Sequence, residues 1–387
     1  MPRAARRYAF GAATQPPTAT HWRPMRILIW YWGRRGGGAQ FTLSLAQALA
    51  EDGGNSPAIS VSHQNDLLAM FRSLPMPRQE VSTYQSVAGF GLGCARIPVL
   101  ARRLVNFAQE VRADVVLSTM SHTWTPLIAP YLVKAGLNFV PVLHDGAPHP
   151  GDFEPFWSWR LNRELTAASA AVVMSDHVAC AVKARRPDLP LIRLPLGAHL
   201  PPAHDSVQPQ CDVLFFGRLR GYKGLDLLRD AWPQVLAVHP SATLRVVGIG
   251  DDKALAPGLA DLPGVSVEKR WVADSDIRSL ITSARLLVLP YHEASQSGVL
   301  PLAMALGVPV VATRVGGLAE QMEGGGGALV PPSPDALGAA MARLLEPEAH
   351  SIATQEARAR SAEFTDWTAI STQLRNALNT HLLCPAA

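Results

Sequence analysis

The feature that most constrains the fold is an alternation that runs the length of the chain. Short apolar runs, rich in β-branched residues, are each followed by a loop and then by a helical pattern. Strand-like runs cover residues 26–31, 58–62, 115–118, 139–143 and 171–174. Helical patterns cover 39–51, 97–111, 125–134, 153–165 and 177–185. Strand then helix, repeated, predicts a parallel sheet with right-handed crossovers. A polar, proline-rich interval follows, with Pro195, Pro201, Pro202 and residues 203–209. The rhythm then restarts: strands at 213–216, 244–247, 286–289 and 308–313, and helices at 225–236, 274–282, 299–306 and 334–345. Asp274 or Ser275 is expected to cap the helix at 274–282. Residues 324–327 read as a glycine turn, and a last helix is expected over 367–382 after a break at 364–366. Residues 66–96 fit no such pattern and are read as holding a mobile loop.

The expected class is therefore α/β with two parallel-sheet domains, which a chain of 387 residues also requires. Residues 1–24 hold Arg3, Arg6, Arg7 and Arg23 and no acid. They lack an apolar stretch with a cleavage site and read as a disordered basic tail, or as an over-extended start with Met25 as the alternative. The domains are expected at 25–203 and 204–364, with 365–387 as a closing helix. The net charge of +4 comes from the four arginines of the tail. Beyond it, residues 25–203 hold 16 basic and 12 acidic side chains, and residues 204–387 hold 15 and 19. The basic half suits an anionic surface. No basic run with interleaved aromatics marks a nucleic-acid binder. Cys94, Cys180, Cys211 and Cys384 are scattered, which suggests free thiols in a reducing compartment. No apolar run reaches the roughly 18 residues that span a bilayer.

Three loops at the carboxyl ends of expected strands carry the chemistry, since ligands of open α/β sheets sit there. The first holds Gly33 and Gly36-Gly37-Gly38 and opens a helix. Its spacing is not that of a dinucleotide site. The second, 144–151, reads HDGAPHPG, places His144 in a stiff polar loop, and leads into Phe153, Phe156, Trp157, Trp159, Arg160 and Arg163. That aromatic and basic segment suits either core packing or a lipid surface. The third, 289–299, reads LPYHEASQSGV. Free amides at Ser297, Gly298 and Val299 are expected to face the crevice and favour a phosphate.

Residues 217–224 read GRLRGYKG and resemble the GRLxxxKG motif of retaining glycosyltransferases of family 4, the large group with the GT-B fold. The third loop and the following GVPVVAT resemble the donor-site signature of that family. Gly36-Gly37-Gly38 and His144 match as well, and the resemblance covers nearly the whole chain from Met25. It implies two Rossmann-like domains facing across a cleft, with the last helix crossing back onto the first domain. It also implies a metal-independent retaining hexosyltransferase. The second domain would bind a nucleotide diphosphate sugar as substrate, and the first a glycan, lipid-linked glycan or small acceptor. His144, Arg218 and Lys223 are then the catalytic candidates. Gly37, Gly38, Gly217, Val272 (beside Trp271), Glu293, Ser297, Gly298 and Val299 are the donor-binding candidates. No cofactor, metal or nucleic acid is expected. The setting would be cytoplasmic polysaccharide or glycoconjugate synthesis, with the inner face of the membrane as the possible peripheral contact.

One departure stands out. The family often has two glutamates spaced E-x7-E. Here the second position is Leu302 by alignment and Pro301 by count from Glu293, and the first is Ala294. Ribose recognition is thus altered. Two other readings stand beside transfer: a nucleotide-sugar epimerase of the same fold, and a non-catalytic sugar-nucleotide binder.

Overall fold

The computed structural model describes residues 25–53, 56–84, 86–150, 156–200 and 209–383. The basic tail, Phe153 and Cys384 lie outside them, as does most of the proline-rich interval. The first sheet is built from β1 (Ile27–Tyr31), β2 (Ala58–Ser62), β3 (Arg78–Val81), β4 (Val115–Ser118), β5 (Asn138–Leu143), β6 (Ala171–Val173) and β7 (Leu191–Arg193). All neighbours are parallel, in the order β3-β2-β1-β4-β5-β6-β7. The period of two in β1 explains its burial on both faces. Ile27, Ile29 and Tyr31 join one apolar cluster, while Leu28, Trp30 and Trp32 join the other.

The second sheet is built from β8 (Cys211–Phe216), β9 (Leu244–Val247), β10 (Val265–Glu268), β11 (Ala284–Leu289), β12 (Val310–Thr313) and β13 (Gly327–Val330). It is also parallel, in the order β10-β9-β8-β11-β12-β13. The two Rossmann-like domains expected from the alternation are therefore both present. In each sheet the order reverses once, between β1 and β4 and between β8 and β11. Crevices open at such reversals. The glycine-rich loop follows β1, the 217–224 segment follows β8, and the 289–299 loop follows β11.

The last helix, Trp367–Leu378, returns to the first domain. Leu374 and Leu378 enter its core, and Trp367 lies edge-on to Phe41 at 5.4 Å. Trp367 Nε1 donates to the Ala198 carbonyl at 3.0 Å, and Arg375 pairs with Asp52 at 2.8 Å. Among the described residues no helix is long and apolar enough to cross a membrane. Cys94, Cys180 and Cys211 are free.

Several details differ from the sequence reading. The described residues of 66–96 include the helix Leu68–Ser73, strand β3 and the helix Val87–Ala95. Strand β3 is polar because it lies at the sheet edge, where Glu80 pairs with Arg72 and Arg78. The equally short edge strands β10 and β13 also went unread, and Gly327 begins β13 rather than ending a turn. The helix Asp274–Thr282 is preceded by Ala273 with no side-chain cap, so Asp274 and Asp276 lie in its first turn. There they favour the helix dipole instead of capping it.

Candidate functional site

The site forms where both reversals face each other. On the second domain, the 217–224 segment and the start of the 289–299 loop are pressed together at Gly224. This residue has φ +68°, and a Cβ there would lie 1.9 Å from the Pro290 carbonyl oxygen. Only glycine allows that approach. It brings Lys223 over the Tyr291 ring at 4.1 Å, with Nζ donating to the Tyr291 hydroxyl at 2.7 Å. Gly217 lies beside the same ammonium group: a Cβ there would be 3.9 Å from Nζ. Among the described residues Lys223 has no carboxylate partner. Arg218 is exposed, forms no hydrogen bond or ion pair among them, and borders the cleft. Two unneutralised cations therefore stand at one crevice.

The 289–299 loop departs from expectation. The Ser297 amide is not free: it donates to Gln321 Oε1 at 2.8 Å, and Gln321 Nε2 returns a bond to the Ser297 carbonyl at 3.0 Å. The Val299 amide donates to Ser297 Oγ at 3.3 Å. Of the three expected amides only that of Gly298, which is exposed, has no partner among the described residues. Ser297, 2% exposed, is a brace of the loop. On the first domain, the amides of Gly37 and Gly38 likewise have no partner among the described residues, at the open end of the helix Gly37–Glu51. Val272 is buried, while Trp271 beside it is half exposed under the Arg35 guanidinium, 5.4 Å from its ring centre.

His144 reaches the cleft from the end of β5. The Thr119 carbonyl can only accept, so His144 Nε2–H donates to it at 3.0 Å. Nδ1 then accepts from Gln296 Nε2 at 3.2 Å, a bond between the two domains. Burial pushes the His144 pKa down, against the opposing pulls of the Thr119 bond and Asp145, so the ring is neutral at pH 7. Both ring nitrogens are engaged, which the sequence could not show.

Glu293 is taken up by a histidine that sequence reasoning passed over. His149 Nδ1 lies 2.6 Å from Glu293 Oε2, and His149 Nε2 lies 3.3 Å from Asp145 Oδ1. The signal was the second histidine of HDGAPHPG. A second carboxylate, Glu164, lies buried behind a cavity of about 280 Å³ lined also by Ser121, His144, Asp145, Trp157, Arg160 and Arg218. Burial pushes Glu164 up to about 7, against the bond from the Ser121 hydroxyl and the charge of Arg160. Farther out, Glu320 of the second domain grips the first. It accepts from the Asp176 amide at 2.6 Å, the His177 amide at 3.1 Å and Arg193 Nη2 at 2.7 Å. Asp274-Ser275-Asp276 has a spacing also found in metal sites and escaped the sequence reading. It lies in the first turn of its helix, and among the described residues no group of three or more potential ligands gathers to hold a metal ion.

Comparison with known proteins agrees with this architecture. The family model Glycosyltransferase Family 4 matches residues 35–194, and the model Glycosyl transferases group 1 matches residues 210–347. The chain is 31% identical over 186 residues to a D-inositol 3-phosphate glycosyltransferase of Corynebacterium aurimucosum, across 45% of this chain and 43% of that protein. It is 30% identical over 172 residues to a phosphatidyl-myo-inositol mannosyltransferase of Mycolicibacterium smegmatis, across 43% of this chain and 45% of that protein. These matches thus span less than half the length of either relative. Among solved structures, Anabaena HepE in complex with UDP and glucose superposes with a TM-score of 0.71 at 18% identity, covering 92% of this chain and 99% of that one. With one family model on each domain and the paired sheets of the GT-B fold beneath them, the chain belongs to glycosyltransferase family 4.

Proposed function

We propose that the protein is a retaining glycosyltransferase that moves a sugar from a nucleotide diphosphate sugar to a hydroxyl of a glycan, lipid-linked glycan or small acceptor. The observation that carries this reading is the pair of unneutralised cations, Lys223 and Arg218, at the reversal of the second sheet. When the bond from C1 to the diphosphate breaks, negative charge grows on the departing oxygens. Preorganised cations and amides at that place lower the barrier. Arg218 can hold two phosphate oxygens in a fork, and Lys223 adds a point charge. The new bond from the acceptor oxygen to C1 forms on the face the diphosphate leaves. The acceptor proton passes to a departing phosphate oxygen, so no protein nucleophile is needed. His144, neutral and held by Thr119 and Gln296, then ties the first domain to the donor loop and so positions that loop rather than taking a proton.

The relative solved with UDP and glucose makes a uridine diphosphate sugar the first donor to test. Because protein cations do the work assigned elsewhere to a metal, transfer or slow donor hydrolysis is expected to continue in EDTA. Activity lost in EDTA and restored by magnesium or manganese would overturn metal independence. Donor binding with no turnover toward any acceptor or water would favour the non-catalytic binder, which the leucine at position 302 keeps as a second reading.

The acceptor side supports a lipid-linked substrate at the inner face of the membrane. The helices Ile97–Glu110, Thr125–Lys134 and Trp157–Ala167 pack side by side on the first sheet. Their outer surfaces expose Val99, Val133, Phe156 and Trp159. Arg96, Arg102, Arg103, Lys134 and Arg163 are exposed around them, against Glu110 as the one exposed acid of these described segments. Apolar side chains ringed by cations suit an anionic lipid surface. Sedimentation with phosphatidylglycerol vesicles is expected to bring the protein down, and the Phe156→Ser, Trp159→Ser pair to weaken this by roughly tenfold. Equal binding of both proteins would remove the membrane from this face.

A further inference from the structure

We propose that His149 is a positioning residue for the donor sugar: as an imidazolium it holds Glu293 in place and ties the acceptor-side loop to both donor-side segments. This rests on the nucleotide-sugar reading of the site. The geometry favours the charge. Each ring nitrogen faces a carboxylate oxygen, Nδ1 that of Glu293 at 2.6 Å and Nε2 that of Asp145 at 3.3 Å. Carboxylates accept, so the ring satisfies both only with a proton on each nitrogen. The ring is stacked on Tyr222 at 4.1 Å with an interplanar angle of 14°, where the face of the phenol favours a cation. Pro148 and Pro150 flank the residue and limit its backbone freedom.

These contacts place His149 where three loops meet. Asp145 and the neutral His144 come from its own loop. Glu293 and Tyr291 come from the loop after β11. Tyr222 and Lys223 come from the segment after β8, and Tyr222 packs edge-on to Tyr291, which holds Lys223. Without the imidazolium, Asp145 and Glu293 would present two uncompensated carboxylates at the cleft. With it, one oxygen of Glu293 is anchored and the other is left to accept from a sugar hydroxyl. The effect should then fall on the sugar end of the donor, not on the nucleotide.

Burial opposes the charge on His149, but the bonds to Asp145 and Glu293 outweigh it and hold its pKa up to about 9. A raised pKa means that the bridge is complete below the ordinary histidine range and is lost as pH rises through about 9. Asp145 behaves oppositely. Burial alone would raise its pKa, yet the bonds and charge of His149 hold it below the usual range, so its share is lost only as pH falls through that lowered pKa.

The test compares wild type with His149→Gln, which keeps a hydrogen-bonding side chain and removes the charge, and with His149→Ala. KM and kcat for uridine diphosphate glucose are measured from pH 6 to 10, with the affinity for uridine diphosphate alone and the melting temperature recorded for each. The expected result is a wild-type kcat/KM that falls above about pH 9 and a Gln variant without that fall. Donor KM in the Gln variant should rise about tenfold or more, while affinity for uridine diphosphate stays within about twofold. An unchanged alkaline fall in a folded Gln variant would overturn the proposal. So would parallel loss of affinity for uridine diphosphate and for the sugar nucleotide. If the wild type binds the donor but turns nothing over, the transfer reading fails separately. The proposal is then decided by whether the Gln variant loses its preference for the sugar nucleotide over the plain nucleotide.

Discussion

Lys223→Ala is expected to lower turnover by about 10²- to 10³-fold, the cost of removing one preorganised donor to charge that grows in the transition state. The ammonium group is half-buried, sits against the Tyr291 ring, and has no carboxylate partner among the described residues. A charge kept in that state has no counter-charge among the described residues. It is waiting for an anion that the protein itself does not supply. Removal should lower the melting temperature only slightly, by the loss of the Tyr291 contacts, and affect kcat more than the affinity for the plain nucleotide. Arg218→Ala should act in the same direction, because its guanidinium is exposed at the cleft and equally unpaired among the described residues. Steady-state kinetics on both purified variants, with melting temperatures alongside, is the measurement. Near-normal turnover in folded Lys223→Ala and Arg218→Ala proteins would remove the diphosphate from this place.

The second large effect is structural. Gly224→Ala is expected to cost about 3 kcal/mol of stability, combining a left-handed backbone for a residue with a Cβ and forced overpacking. The new methyl group would lie 1.9 Å from the Pro290 carbonyl oxygen and 2.9 Å from its carbon. These are backbone atoms at the end of β11, so no rotamer change can relieve the clash. Movement there also displaces Tyr291, and with it the hydroxyl that Lys223 Nζ holds. Turnover should therefore fall even at temperatures where the variant stays folded. Urea denaturation gives the stability change. Gly221→Ala is the control, since its methyl group would meet only Leu255 at 4.0 Å. Equal stability of the two variants would show that the loops are not packed as described.

Much of this was legible in the sequence because its signals were local. Strands such as β1 and β11 are buried on both faces and read as unbroken apolar runs. The segment at 217–224 and the loop at 289–299 announced themselves by composition, and the reversals of strand order put them together. The unread parts depend on partners far along the chain. Nothing near Ser297 shows that Gln321 will take its amide, and nothing near Glu293 points to His149, 144 residues earlier. Edge strands β3, β10 and β13 are short and only partly buried, so they lack the apolar signature that marks central ones. Glu164 is a carboxylate inside an amphipathic helix, where a buried acid looks like any surface charge.

The return of the last helix sets an order of events at the ribosome. Leu374 and Leu378 belong to the apolar core between the first sheet and its helices, yet they are made after the whole of the second sheet. The first domain emerges well before them, and at about 5–20 residues per second the missing wall follows on the order of ten seconds or more later. Until then the face of the sheet that holds Ile29 and Leu117 is incompletely covered. The second sheet draws all its strands from one continuous stretch, so it can close while the first domain is still waiting. The domain made first is the one finished last.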